Sequence, residues 1–321
     1  MDPAYETLRD VPTLRRLDRI IWAFIAAVAA IVLTASAIGS FFLGWRTFAA
    51  PALVAAVLTG GAWFYRSYRP DPRAASGLEN TAQLIAFAAV AAPLSYLAAA
   101  ANLLLQDQVL DAVDRALGLD WRALLNWMNG SPGLYAVLHP IYFSLSLQMI
   151  VAALSLAFSG RLLQLRIYML SFIFAALITI AISALLPAAG TWPYYALSST
   201  DSPHMMPAVS TSWPVFYGLR DGSYRMLVAI GSEGIISFPS LHAALAVILI
   251  LALWPVPYLR WAILVLNVAM LAATCTESAL PVRRNLNTDY GRSKVRHIAK
   301  KLHGTFAISI FQFAVRRAHS A

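Results

Sequence analysis

The chain has 321 residues, of which 60% are hydrophobic and only 12% charged, and its mean hydropathy is +0.66. Soluble domains carry roughly 25% charged residues, so a water-soluble globular domain is excluded and a bilayer is the expected solvent. The formal charge of +9 is concentrated at one end: fifteen arginines stand against fourteen acids up to Glu277, whereas nine basic residues and only Asp289 lie from Ser278 onward. All three lysines, Lys294, Lys300 and Lys301, belong to that last stretch. A near-neutral apolar body with a basic tail gives no reason to expect a nucleic-acid partner. The single Cys275 excludes an intramolecular disulfide and a multi-cysteine metal site.

Taken in chain order, the apolar runs predict an all-α, polytopic membrane protein with about six to seven transmembrane helices. Runs near 20 residues are long enough to cross the hydrocarbon layer. They cover residues 20–44, 47–65, 82–105, 134–158, 167–187 and 235–256, with a less secure seventh at 261–276. The first is read as an uncleaved span: Ala35-Ser36-Ala37 resembles a cleavage site, but the apolar stretch continues beyond it. Arg9, Arg15, Arg16 and Arg19 precede that span, which places the N-terminus in the cytoplasm. Arg66, Arg69, Arg73, Arg161, Arg166 and Arg260 then fall inside as well, while Asp107, Asp111, Asp114 and Asp120 fall outside. A seventh span would carry the basic tail to the outer side, against that rule. The localisation expected is a multi-pass bacterial inner or cell membrane.

Two outer segments do not read as spans. Residues 106–129 place Leu110, Val113, Leu117, Leu124 and Leu125 at helical spacing among acids, as an amphipathic interfacial helix does. Residues 188–234 hold Trp192, Trp213 and four prolines. So long an irregular loop is either a site lid or wall or an aromatic belt at headgroup level, and both readings stand.

The stretch Ser237-Phe238-Pro239-Ser240-Leu241-His242 opens the sixth span at its outer end. Proline suits a helix's first turn, and a neighbouring serine can cap its free amides. His242 would then sit beside unpaired N–H groups at the positive end of the helix dipole, where an anion binds readily. A histidine there can pass a proton to a phosphate leaving group; the plainer reading is an interfacial histidine that caps a neighbour. Ser240, Arg220 and Arg225 are the candidate phosphate-binding residues, Arg being suited to bidentate oxyanion contacts. Both arginines also fit a simple reading as solvated loop charges. His139 and His204 are expected to be structural or headgroup-facing, and Glu233 to pair with an outer arginine. Neither a metal nor any cofactor is expected, because no ligand cluster, Walker loop or dinucleotide fingerprint is present.

With these residues in view, the sequence resembles the phosphatidic-acid phosphatase type 2 superfamily, in particular its inositol-phosphotransferase branch, which includes the inositol phosphorylceramide synthases. FPSLH is similar to the superfamily's second motif. Asp114-Arg115-Ala116-Leu117-Gly118-Leu119-Asp120-Trp121, then Tyr142, Ser144 and Gln148, then Pro187-Ala188-Ala189-Gly190-Thr191-Trp192-Pro193 follow the branch in order. The resemblance implies a division into an N-terminal transmembrane hairpin region (1–104), a phosphotransferase/phosphatase-like membrane domain (105–277) and a basic tail (278–321). It also implies a substrate, a phospholipid or other lipid phosphoester, and a mechanism. A third-motif histidine attacks phosphorus to form a phosphohistidine, an aspartate four residues later orients it, and His242 protonates the departing oxygen.

The resemblance stops at the third motif. After Thr276-Glu277 the branch reads Gly-Gly-His-Tyr-x-x-Asp and then a final span, whereas this chain reads Ser278-Ala279-Leu280-Pro281-Val282-Arg283-Arg284. Residues 305–315 are apolar but too short to cross. Codons such as GCA CTA CCT GTT CGA CGT would encode residues 279–284, and those bases read one position later give His-Tyr-Leu-Phe-Asp. The tail from about Ser278 is therefore expected to be out of frame, the other reading being a true basic tail on anionic headgroups. His297 and His303 lie in that tail and are not recruited as replacement nucleophiles. The function expected is an integral membrane phosphotransferase acting on a lipid phosphoester at the outer face, inactive where its third motif is missing. Its rivals are a lipid phosphatase that transfers to water and a non-catalytic membrane protein.

Overall fold

The computed structural model describes residues 11–39, 41–190, 193–194, 212–231 and 234–277. Among them the chain forms eleven helices and one pair of two-residue strands. In order these are α1 (Val11–Ile38), β1 (Phe42–Leu43), α2 (Trp45–Ser67), α3 (Pro72–Ala100), α4 (Asp107–Ala116) and α5 (Trp121–Asn129). They continue as α6 (Pro132–Phe143), α7 (Leu145–Phe158), α8 (Leu162–Leu185), α9 (Trp213–Asp221), β2 (Met226–Leu227), α10 (Leu241–Leu253) and α11 (Arg260–Glu277).

The protein is an all-helical membrane protein, as its composition requires. The helices α1, α2, α3 and α8 are long and apolar enough to cross a bilayer, and the α6–α7 pair makes a fifth if its 51° bend is one broken span. Ile31, Leu33, Val57, Val151 and Ile178 on these helices are more than two-fifths exposed, which suits faces solvated by lipid rather than water. The last two apolar runs of the expected six to seven form helices that fall short of a spanning length among the described residues. In the sixth run, residues 235–240 are non-helical and α10 begins only at Leu241, where Ser240 accepts a hydrogen bond from the Ala243 amide (3.3 Å). Pro255 and Pro257 lie just beyond its end and deny it further amide donors.

Other boundaries have equally local causes. The first helix stops at Ile38, short of the expected residue 44, and the chain turns into β1, which runs parallel to β2. The run read as one span at 134–158 breaks at Ser144. The amphipathic segment divides into α4 and α5 at Gly118, whose φ of +79° is one that only glycine adopts without steric cost. Asp120 caps the second piece through the Arg122 and Ala123 amides. Asp71 caps α3 in the same way, with Pro72 in the first turn. Arg166, expected in a polar loop, lies inside α8 and is 2% exposed.

The main core is built where α3, α7, α8, α10 and α11 meet, around Phe87, Leu156, Ile173, Leu249 and Met270. Gly77 of α3 lets α7 approach closely, since a Cβ there would stand 3.3 Å from Ala157. A smaller core gathers Val32, Tyr96, Phe216, Leu219 and Leu227 beside the strand pair. The long helix α8 connects two polar networks: Arg166 near its start and the turn at 187–190 beyond its end.

Candidate functional site

His242 lies in the first turn of α10, and its half-buried ring stacks on Tyr142 with centroids 4.0 Å apart and planes 11° off parallel. Tyr142 is in the last turn of α6, so the break before α7 presents it to the start of α10. Ser240 acts as N-cap, as its sequence position suggests. The Phe238-Pro239 peptide just ahead of it is cis. Among the described residues, no side-chain hydrogen bond to His242 is found.

A polar line runs from this point into the bundle. Ser144 donates to the Ile141 carbonyl (2.6 Å) and accepts from Gln148 Nε2 (2.8 Å). Gln148 Oε1 in turn accepts from Asn267 Nδ2 of α11 (2.9 Å). Asn267 is fully buried, and its Oδ1 has no partner among the described residues. His139 is occupied locally, with Nδ1 3.0 Å from the Tyr135 hydroxyl and its ring edge-on to Phe143.

The two arginines lie apart from His242 in bonding terms: neither makes a hydrogen bond to Ser240 or His242. Arg220, in the last turn of α9, donates through Nη2 to the Leu103 carbonyl (2.6 Å) and lies over the Phe216 ring. Its Nη1 is buried without a partner among the described residues. Burial lowers its pKa, opposed by Tyr217 and Asp107. Arg225 donates from Nε to the Gly222 carbonyl (3.1 Å) and stacks over Phe41.

Two features have no local signature in the sequence. Asp107, read only as one of several outer acids, is 3% exposed and accepts the backbone amides of Ala189 (3.1 Å) and Gly190 (3.0 Å). At the other end of α8, Arg166 grips Asp18 through Nε (3.1 Å) and Nη2 (3.0 Å), and Arg66 stands 3.7 Å from the same carboxylate. Arg66 also meets Glu79 (3.3 Å), which accepts from Trp22 Nε1 (2.6 Å). The expectations for His204 and Glu233, and for everything from Ser278 on, fall outside the described residues.

A family model described as the PAP2 superfamily matches residues 108–279, just over half of the chain. That span contains Tyr142, the turn at 187–190, both arginines and the FPSLH stretch. Comparisons with curated proteins and with solved structures return no match.

Proposed function

The chain belongs to the PAP2 superfamily, and from that premise we propose that its site handles a lipid phosphoester, with His242 as proton donor to the departing oxygen. A helical membrane protein of this superfamily fits lipid phosphatase or phosphotransferase chemistry. The observation that carries the finer reading is the placement of His242, on the first turn of α10 with its ring flat against Tyr142. Burial lowers the His242 pKa to about 4, so the free ring is uncharged at neutral pH. A phosphate anion held beside the unpaired amides of the helix start is what would raise it enough to carry the proton it donates. Ser240 contributes by capping that turn. Of the arginines, Arg220 is the stronger phosphate-binding candidate, because its buried Nη1 still lacks an acceptor; Arg225 is the more peripheral one.

The inositol-phosphotransferase branch is proposed on the order of its sequence stretches around residues 114–121, 142–148 and 187–193. The proposed orientation puts the N-terminus in the cytoplasm and the His242 end outward. In the chemistry so implied, a histidine nitrogen bonds to phosphorus as the P–O bond to the lipid breaks, and His242 supplies the proton to that oxygen. The phosphohistidine then passes the group to an alcohol or to water. Residues 278–284 contain no histidine, so the covalent step lacks its nucleophile. The polypeptide as it stands should turn over little or no substrate.

The test uses membranes supplied with labelled phosphatidylinositol and either ceramide or diacylglycerol, scoring transfer against release to water. The natural chain is compared with one returned to the His-Tyr-Leu-Phe-Asp reading frame. Transfer only in the frame-restored chain, lost in His242→Ala, is the expected result. Robust activity of the natural chain that His242→Ala abolishes would overturn the inactive reading. Restored activity indifferent to His242→Ala would overturn the role of His242.

A further inference from the structure

We propose that Asp107 is a positioning residue: its carboxylate latches the turn at 187–190 against the loop that leads into His242. The proposal rests on the reading of His242 given above, but the latch itself stands on geometry alone.

The start of α4 is stitched to that turn at three points. The Gln106 amide donates to the Pro187 carbonyl (2.8 Å). The Ala189 and Gly190 amides each donate to a different oxygen of Asp107, at 3.1 and 3.0 Å. Adjacent amides aimed at one carboxylate form the kind of nest that selects an anion, and hydrogen bonds to a charged acceptor are roughly twice as strong as neutral ones. Such convergence needs Gly190 at φ +91°, a conformation that side chains disfavour. The far side of the turn meets the next segment. Ser237 donates from Oγ to the Ala189 carbonyl (3.3 Å), and a Cβ on Gly190 would stand 2.9 Å from that Oγ. Ser237 is buried, two residues ahead of the cis proline and five ahead of His242.

The chain of contact is therefore Asp107, the turn, Ser237, and then the short loop to the Ser240 cap. Each link is a hydrogen bond or a covalent step. The arrangement explains why an acid is buried here beside Arg220, which makes no hydrogen bond to it: the two amides are its direct partners. A positioned proton donor must be held to within a fraction of an ångström, and the segment leading into His242 meets the turn through Ser237.

The latch and its consequence are separable by experiment on the full chain in lipid nanodiscs. Hydrogen exchange of the Ala189 and Gly190 amides should speed up by about tenfold or more in Asp107→Ala, since each loses its hydrogen bond to a charged acceptor. Asp107→Glu, which keeps both acceptor oxygens, should restore much of the protection. Unchanged exchange in Asp107→Ala overturns the latch. The second readout is the labelled-histidine NMR signal of His242 and its shift on adding vanadate. Asp107→Ala should move the signal and weaken the vanadate response several-fold in protein that remains folded, and Asp107→Glu should bring both back. Faster exchange with an unmoved His242 signal leaves Asp107 merely structural and overturns the positioning role. If Asp107→Ala fails to fold, the comparison of Asp107→Glu with Asp107→Asn decides. Asn offers the second amide a donor instead of an acceptor and should lose protection that Glu retains; equal protection in the two overturns the latch. A wild-type vanadate response that does not involve His242 counts against the phosphoester reading and leaves the latch intact.

Discussion

Removing Asp18 should damage this protein more than removing its partner Arg166, and the difference follows from what each leaves behind. Arg166 is 2% exposed, and Asp18 is the one acid that it contacts among the described residues, at 3.0 Å. Asp18→Asn thus leaves a buried guanidinium with only neutral acceptors, the asparagine Oδ1 and the Leu162 carbonyl (3.2 Å). Arg166→Gln leaves Asp18 still facing Arg66 at 3.7 Å. At an effective dielectric near 20, unit charges at either separation attract by about 5 kcal/mol before desolvation is subtracted. Arg66 can therefore stand in for much of the lost attraction, weakened because its side chain is 38% exposed. Breaking a buried pair from one side costs about 3–5 kcal/mol, so Asp18→Asn should fall near the top of that range and Arg166→Gln near the bottom. The double variant should recover about 2 kcal/mol of the summed cost, within the range for charges in direct contact. Reversible unfolding by SDS in mixed micelles gives all four free energies of the cycle. Additivity within about 0.5 kcal/mol, or a larger loss for Arg166→Gln than for Asp18→Asn, would refute the reasoning.

Gly190→Ala should cost about 1–2 kcal/mol from the positive φ alone, plus the displacement of Ser237, whose Oγ a new Cβ would meet at 2.9 Å. Adding Ser237→Gly should recover the steric part and leave the backbone part, read from thermal unfolding in detergent; recovery of the whole loss would show that the backbone is unstrained. Asp107 also predicts a pH dependence. Burial raises its carboxyl above the ordinary range, with the Ala189 and Gly190 amides and Arg220 opposing. A raised folded value means that ionisation weakens the fold, so this group favours folding most at low pH and loses that contribution as pH climbs through the raised value. Asp107→Asn should flatten the resulting slope in unfolding temperature above the ordinary carboxylate range, and an unaltered slope would place the titration elsewhere.

What could be read from the sequence was whatever is decided within a few residues. Asp71-Pro72 and Asp120 mark helix starts, and Pro239-Ser240 marks the start of α10, so His242 is found correctly beside a capped first turn. Hydropathy recovers α2 and α8 for the same reason, since a helix that touches lipid must be apolar along its whole length. It fails where apolar residues are not helical. Ile235, Ile236 and Phe238 count toward a span by composition, yet they form the extended lead into α10. Hydropathy also cannot see that Ser144 divides α6 from α7, because Ser144 and Pro140 sit among apolar neighbours.

Missing from the sequence reading are the interactions that close over distance. Asp107 finds its amides 82 and 83 residues later, and Asp18 finds Arg166 across 148. Nothing near Asp107 separates it from Asp111 or Asp114, which share its helix but not its role. Tyr142 and His242 belong to separate stretches of the resemblance, and only folding brings them face to face. The arginines show the converse: their residue type suggested phosphate, but each is anchored to a backbone carbonyl, and only Arg220 keeps a buried donor without a partner.

These long-range contacts also predict how the molecule divides mechanically. Both polar networks attach to α8, the Asp18 pair near its start and the Asp107 latch just beyond its end. Its 24 residues span about 36 Å at a rise of 1.5 Å each, several times the distance over which substitutions normally couple. If α8 is a rigid strut with independent anchors, Asp18→Asn and Asp107→Ala should add in unfolding free energy to within about 0.5 kcal/mol. Hydrogen exchange at Gly190 should then be blind to Asp18→Asn in the folded protein. The alternative is a helix that slides: releasing Asp18 would let α8 shift along its axis, carrying the turn away from Asp107. In that case the Asp18→Asn variant would already expose the Gly190 amide, and adding Asp107→Ala would cost little more. Packing favours the strut, because Met169, Ile173, Ala176 and Ile180 are all buried along one face between the two anchors. A sliding helix would have to break those contacts together, and interiors packed at crystal density resist such shifts.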